Sequence, residues 1–140
     1  MLVSFEGGCY CSNVRYRISL DHIKDAASSL CHCRNCKKAY GGDFFAAVRV
    51  PVNTFQYTSG KAKLHAKDNG SGVMVNREFC DNCGSNIIEY SENVQDTYRY
   101  VTIGSLDDPS TFRPEGEIFI KNRLDWVPEL PNTYQKYEDD

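Results

Sequence analysis

This 140-residue chain has no uninterrupted apolar stretch approaching the ~20 residues that a helix needs to cross a bilayer. Its amino terminus, Met1-Leu2-Val3-Ser4-Phe5-Glu6-Gly7-Gly8, carries no basic segment followed by an apolar run, so a secretory leader is not expected. A basic surplus is missing too. Against 19 Asp and Glu stand 16 Lys and Arg, giving a net charge of -3 and a pI near 5.6. That balance argues against a general nucleic-acid binder. There is no linker, no fixed-period repeat and no low-complexity segment. These absences predict one intracellular, cytoplasmic domain over residues 1–140, with neither membrane nor nucleic acid as partner. The apolar share is 41%, an adequate but not rich core for this length, and metal cross-links would help such a domain.

What the chain does have is cysteine, seven in all. An odd count leaves one thiol over in any disulfide scheme. Without a secretion signal, metal binding is the better account. Asn69-Gly70-Ser71 matches a glycosylation acceptor, but an intracellular chain never meets that machinery, and the Asn-Gly pair makes a better turn.

The densest group is Cys31-His32-Cys33-Arg34-Asn35-Cys36. Thiolate is a soft ligand, and zinc takes it in tetrahedral geometry at roughly 2.3 Å. Cys33-x-x-Cys36 has the reach of a zinc knuckle. Cys31 would point to the same side as Cys33 from an extended segment, because strand side chains repeat every two residues. Three protein ligands leave a fourth position open, the mark that separates a catalytic zinc from a structural one. The alternative is a closed structural site completed by His32 or a distant histidine. His32 would face away from the metal in a strand, which suits a hydrogen-bonded structural role better than a proton shuttle. Arg34, Lys37 and Lys38 flank the turn, either as a solvated basic surface or as partners for substrate carboxylates. His22 and His65 carry no motif and are expected on the surface.

Elsewhere the pattern is mostly β. Val14, Tyr16, Ile18 and Leu20 alternate with polar residues, as do Phe44, Ala46, Val48 and Val50 up to Pro51. Residues 21–25 suit a polar helical turn, 26–32 a strand, and 34–39 a short helix ended by Gly41-Gly42. Phe55 and Tyr57 suggest another strand. Residues 64–66 and 73–79 pair around Asp68-Asn69-Gly70-Ser71-Gly72. Strands are also expected at 87–90, 98–103 and 118–120, with Pro109 opening a turn or helix. The tail 128–140 is polar and expected to be loose. The aromatics Tyr98, Tyr100, Phe112, Phe119 and Trp126 are expected in the core or a pocket wall.

Cys9-x-Cys11 and Cys80-x-x-Cys83-Gly84 together make four thiolates suited to a closed structural zinc, and neither pair alone fills a tetrahedron. Other partitions, such as Cys9 and Cys11 with Cys33 and Cys36, remain open on spacing.

Gly8-Cys9-x-Cys11-x-x-Val14-x-Tyr16, Cys31-His32-Cys33-x-x-Cys36-Lys37-Lys38, Arg77-x-Phe79-Cys80-x-x-Cys83-Gly84-Ser85 and Gly104-Ser105-Leu106-Asp107-Asp108-Pro109 occur in the order seen in one family. Over roughly residues 5–126 the chain resembles the glutathione-dependent formaldehyde-activating enzymes, which also include the centromere protein V type of domain. The resemblance implies a mainly β, Mss4-like antiparallel fold stabilised by two zinc ions. Cys9, Cys11, Cys80 and Cys83 would be structural; Cys31, Cys33 and Cys36 would form the reactive, catalytic site. Tyr40 stands where the family often has a small hydroxyl residue, and Glu117 where many relatives carry histidine.

A zinc bearing three thiolates is a poor activator of water but suits a fourth thiolate, from a thiol such as glutathione. Bound so, the thiol can attack a small aldehyde such as formaldehyde and form a C–S bond, or the reverse. The expected activity is therefore that of a carbon–sulfur lyase or thiol–aldehyde adduct enzyme, similar to S-(hydroxymethyl)glutathione synthase. The alternative is a non-catalytic, zinc-stabilised protein-binding module of the centromere protein V type.

Overall fold

The computed structural model describes residues 2–138. Eleven strands follow in order: β1 (Val3–Gly8), β2 (Arg15–Leu20), β3 (Ala27–Cys31), β4 (Phe45–Pro51), β5 (Phe55–Ser59), β6 (Ala62–Asp68), β7 (Met74–Cys80), β8 (Asn86–Ser91), β9 (Tyr98–Thr102), β10 (Gly116–Ile118) and β11 (Tyr134–Gln135). Among the described residues a single α-helix, α1 (Arg34–Tyr40), interrupts them. The strands form two sheets, one ordered β1-β2-β5 and the other β11-β10-β3-β4-β9-β8-β7-β6. The mainly β architecture expected from the alternating pattern is therefore present. No helix among the described residues is long and apolar enough to cross a membrane.

Alternation explains how the layers meet. In β2, Tyr16, Ile18 and Leu20 are fully buried, while Arg15 and Arg17 face outward to Asp107 and Glu6. Across the gap, β4 sends Ala46, Val48 and Val50 into the same core, joined by Ile87, Ile88 and Val101. The opposite face of β4 carries Phe45 and Ala47, which pack in a separate cluster with Cys31 and Cys36. One strand thus serves the core with one face and the cysteine turn with the other, as a period of two requires.

Four features depart from the sequence reading. The large sheet is mixed, because β10 runs parallel to both β3 and β11. Residues 103–115 carry the chain from β9 to the far side of β4 and β3, with short 3-10 turns at Ile103–Ser105 and Pro109–Thr111, and residues 119–133 make the crossover between the parallel neighbours β10 and β11. The expected strand at 118–120 instead ends at Ile118; Phe119 adopts a left-handed conformation (φ 54°) that turns the chain into another 3-10 turn. The tail is also ordered rather than loose through residue 138: Tyr134–Gln135 adds a strand and Lys136 N–H donates to the Glu117 carbonyl at 2.9 Å. Asp139 and Asp140 lie outside the described residues. Trp126 is 68% exposed rather than in the core or a pocket wall. By contrast, Phe112 is buried edge-on against Phe5.

The turn that carries the chain from β5 in the small sheet to β6 in the large one rests on Gly60 (φ 71°), where a Cβ would overlap the Asn13 carbonyl. Gly41 has the same sign of φ (72°) at the end of α1, but nothing lies within 4 Å of its would-be Cβ. Both alanine variants should suffer the left-handed penalty of about 1–2 kcal/mol. Gly60→Ala should cost clearly more because backbone must also move. Paired urea melts will show it; equal midpoints would mean that the Asn13 overlap relaxes freely.

Candidate metal centres and the cleft

The first cysteine group is built from two turns. After β1 the chain reverses through Cys9 and Cys11, with Ser12 in a left-handed conformation (φ 69°) and Cys9 N–H bonded to the Val14 carbonyl at 3.0 Å. After β7, Gly84 (φ 78°) lets its N–H return to the Cys80 carbonyl at 2.8 Å. The sulfurs meet: Cys9 Sγ lies 3.6 Å from Cys11 Sγ, which lies 3.7 Å from Cys80 Sγ. All four, Cys83 included, fall within 4.8 Å of one another. A tetrahedron with metal–sulfur bonds of roughly 2.3 Å has sulfur–sulfur edges of about 3.8 Å. The donor set and its spacing fit one such ion. Backbone N–H groups point at the sulfurs, Val14 N–H at Cys9 Sγ (3.2 Å) and Cys83 N–H at Cys80 Sγ (3.5 Å). Hydrogen bonds led by that of Ser85 hold the Cys83 thiol down at about 5. The group joins the β1 end of the small sheet to the β7–β8 turn of the large one.

The second group brings together Cys31 at the end of β3, Cys33 and Cys36. Cys33 is the N-cap of α1, its sulfur accepting from Cys36 N–H at 3.2 Å. Cys36 Sγ lies 3.4 Å from Cys31 Sγ, and all three sulfurs fall within 4.8 Å. These spacings also fit a tetrahedral ion, at three of its four vertices. Among the described residues no further His, Cys, Asp or Glu joins the group. Without metal the three share protons unevenly. Hydrogen bonds from Cys31 and Cys36 hold Cys33 down at about 2. Donation to Cys33 holds Cys31 up at about 12, and contacts with Cys31 and Cys33 raise Cys36 as well.

All three cysteines open into a cleft of about 660 Å³ on the outer face of the large sheet. Its floor is a cross-strand row: Ala27 pairs with Arg49, Arg49 with Tyr100, Tyr100 with Glu89, and Glu89 with Arg77. Near the sulfurs the walls are Phe45, Ala47, Ile118 and Phe119. Tyr40 stacks on Phe45 (centroids 4.0 Å apart) and donates to Glu89 Oε1 at 3.1 Å, which also accepts from Arg77 Nε at 2.8 Å. Tyr40 thus packs against the cysteine cluster without lining the cleft. Burial raises the Glu89 carboxyl above its ordinary range, although the adjoining Arg77 charge opposes the shift.

His32 is turned away from the sulfurs, as the strand geometry requires. Its Nε2 donates to Glu117 Oε1 at 2.7 Å, both side chains being fully buried. Glu117 Oε2 accepts from Gln135 Nε2 (2.8 Å), Leu130 N–H (2.9 Å) and Arg123 Nη2 (3.1 Å). Burial alone would raise the Glu117 carboxyl. The bonds from Gln135, Leu130 and His32 outweigh it and hold the group below the usual carboxylate range. Of the three basic residues flanking the turn, Lys37 donates to the Asn122 carbonyl at 2.6 Å. Arg34 and Lys38 are exposed, and none of the three lines the cleft. His22 and His65 are exposed as expected.

Sequence reasoning missed Arg49 and Glu89 as cleft residues, whereas Tyr100 and Phe119, expected in the core or a pocket wall, do line it. Arg49, Glu89 and Tyr100 each sit in a strand that the pattern did indicate, but only the cross-strand register places them in one row.

The family described as glutathione-dependent formaldehyde-activating enzyme matches residues 4–122 of this chain. Among solved structures, a Rhodobacter sphaeroides protein determined as a structural-genomics target is similar at 19% identity, with a TM-score of 0.55. The alignment covers 73% of this chain and 87% of that one, a likeness of fold. No match is found among curated proteins.

Proposed function

This chain belongs to the glutathione-dependent formaldehyde-activating enzyme family, and on that premise we propose that it is an enzyme joining a small thiol, glutathione or a close relative, to formaldehyde or a similar aldehyde. Cys9, Cys11, Cys80 and Cys83 would hold a structural zinc, and Cys31, Cys33 and Cys36 a reactive one. The observation that carries the reading is the three-thiol group with no fourth protein ligand among the described residues, opening into the cleft.

Held by Cys31, Cys33 and Cys36, a zinc ion would supply Lewis acidity that lowers the pKa of an incoming thiol at the open position. The chain's residues do the rest. The apolar walls Phe45, Ala47, Ile118 and Phe119 limit water around the reacting sulfur. The Arg77–Glu89 pair leaves no unbalanced charge beside the cysteines. In the synthetic direction a C–S bond forms between thiol sulfur and aldehyde carbon. The carbonyl π pair moves onto oxygen, which takes up the proton that the thiol released. The reverse is carbon–sulfur cleavage, the lyase direction. A protein-binding module of the centromere protein V type would call for a closed site, and a fourth protein ligand is what the described residues lack.

Two zinc ions per chain are expected by elemental analysis. In the cobalt-substituted protein, 2-mercaptoethanol should raise the sulfur-to-metal charge-transfer band saturably, at a pH where the free thiol is mostly protonated, since thiols titrate near ~8.5. Cys31→Ser should abolish the response. A spectrum indifferent to every thiol would overturn the open-site reading.

A further inference from the structure

The cleft floor carries two arginines with different surroundings. Arg77 is neutralised by Glu89 at 2.8 Å. Among the described residues Arg49 has no carboxylate partner. Its guanidinium lies over the Tyr98 ring, 4.3 Å from the centroid, and its Nε is buried without a hydrogen-bond acceptor. A buried cationic donor left unpaired is costly unless a ligand completes it. Stacking on an aromatic face leaves the edge of a guanidinium free for a bidentate carboxylate.

Register sets the distance. Cys31 pairs with Phe45, and Arg49 lies four residues further along β4 on the same face. That separation is about 13 Å along the strand. A backbone separation of that size is the span of about three to four extended residues.

We infer that Arg49 anchors a carboxylate of the thiol substrate, so that the cleft selects a short peptide-like thiol ending in a free carboxylate over a small neutral thiol. This deepens the proposed function and rests on it for the placement of the sulfur. It also moves carboxylate recognition away from Arg34, Lys37 and Lys38, which lie outside the cleft.

The test separates the anchor from the metal. S-methylglutathione keeps both carboxylates but cannot bind as a thiolate, and its dimethyl ester lacks both negative charges. Calorimetric titration of the zinc-loaded protein should show the free acid binding about ten- to a hundredfold tighter than the diester. Arg49→Ala should erase that difference, and Arg49→Lys should recover only part of it, because an ammonium cannot present the fork. Equal binding of acid and diester to the wild type, or an Arg49→Ala variant that binds the acid as wild type does, overturns the inference. If Arg49→Ala fails to fold, the acid–diester comparison on the wild type and the Arg49→Lys variant still decide. With 2-mercaptoethanol, the cobalt response of Arg49→Lys should match that of the wild type. A wild-type protein that discriminates acid from diester yet shows no cobalt response supports the anchor and overturns the open-site reading instead.

Discussion

Cys9→Ser or Cys80→Ser is expected to leave the chain unfolded at ordinary temperatures, whereas Cys33→Ser should leave both sheets folded and lose one metal. The asymmetry follows from where each group sits. Cys9 and Cys80 are buried in the main core and tie the small sheet to the large one. Binding free energies for structural zinc run to about 10–16 kcal/mol, comparable to or larger than the ~5–15 kcal/mol net stability of a whole domain. Serine offers no soft ligand and leaves three thiols crowded without their ion. Cys33 sits instead at the mouth of the cleft, where its sulfur caps α1 by accepting from Cys36 N–H. Loss of a cap costs about 1 kcal/mol, and the remaining cost is the second metal. Circular dichroism melts with metal analysis on all three variants will decide. Should Cys33→Ser melt as low as Cys9→Ser, the structural and reactive assignments are wrong.

Glu117→Ala is expected to be the most damaging single change outside the cysteines. Its carboxylate accepts from His32, Arg123, Leu130 and Gln135, with no exposure to solvent. Removing one partner of such a buried network leaves the others unpaired, at a cost of about 3–5 kcal/mol. Because three donors come from residues 123–135, that segment should become the first site of protease attack, while Glu117→Gln should retain more of it. The pH dependence has a definite sign. The folded carboxyl titrates below its ordinary value. Its contribution is therefore fully present above the unfolded-state value of about 4.3 and is lost as pH falls through the lower folded value. Between these two values the wild type should lose melting temperature faster than Glu117→Gln. Parallel curves would mean that the carboxylate charge contributes nothing.

The strands and cysteine turns were largely legible because their signals are local. A period of two in Tyr16-x-Ile18-x-Leu20, and in Ala46-x-Val48-x-Val50, needs no knowledge of neighbours. The knuckle Cys80-x-x-Cys83-Gly84 carries its own turn residue. Illegible were the features that depend on pairing. Val3–Gly8 carries two glycines at its end and reads poorly as a strand, yet it pairs with Arg15–Leu20 along its whole length. Tyr134–Gln135 is too short to show any period and forms only because Gly116 and Glu117 accept it as a parallel neighbour. Glu117 itself looked like a departure from the family pattern; its meaning came from a histidine 85 residues away. The cleft row from Arg49 to Arg77 is likewise a property of register, and no single strand encodes it.

The spacing of the two thiol groups also bears on the order in which they fill during folding. Cys31 and Cys36 are five residues apart, so their ligand shell can close within a stretch of unfolded chain. Cys11 and Cys80 are 69 apart. With loop-closure entropy growing as about (3/2)RT ln n, bringing the latter pair together costs about 2 kcal/mol more before any sheet has formed. Metal offered to the nascent chain would therefore load the local turn first, and the distant foursome would close only with the two sheets. A chain short of metal would then stall with its Cys31–Cys36 turn filled and its sheets undocked. Metal scarcity would limit the yield of folded protein before it limited the occupancy of the cleft.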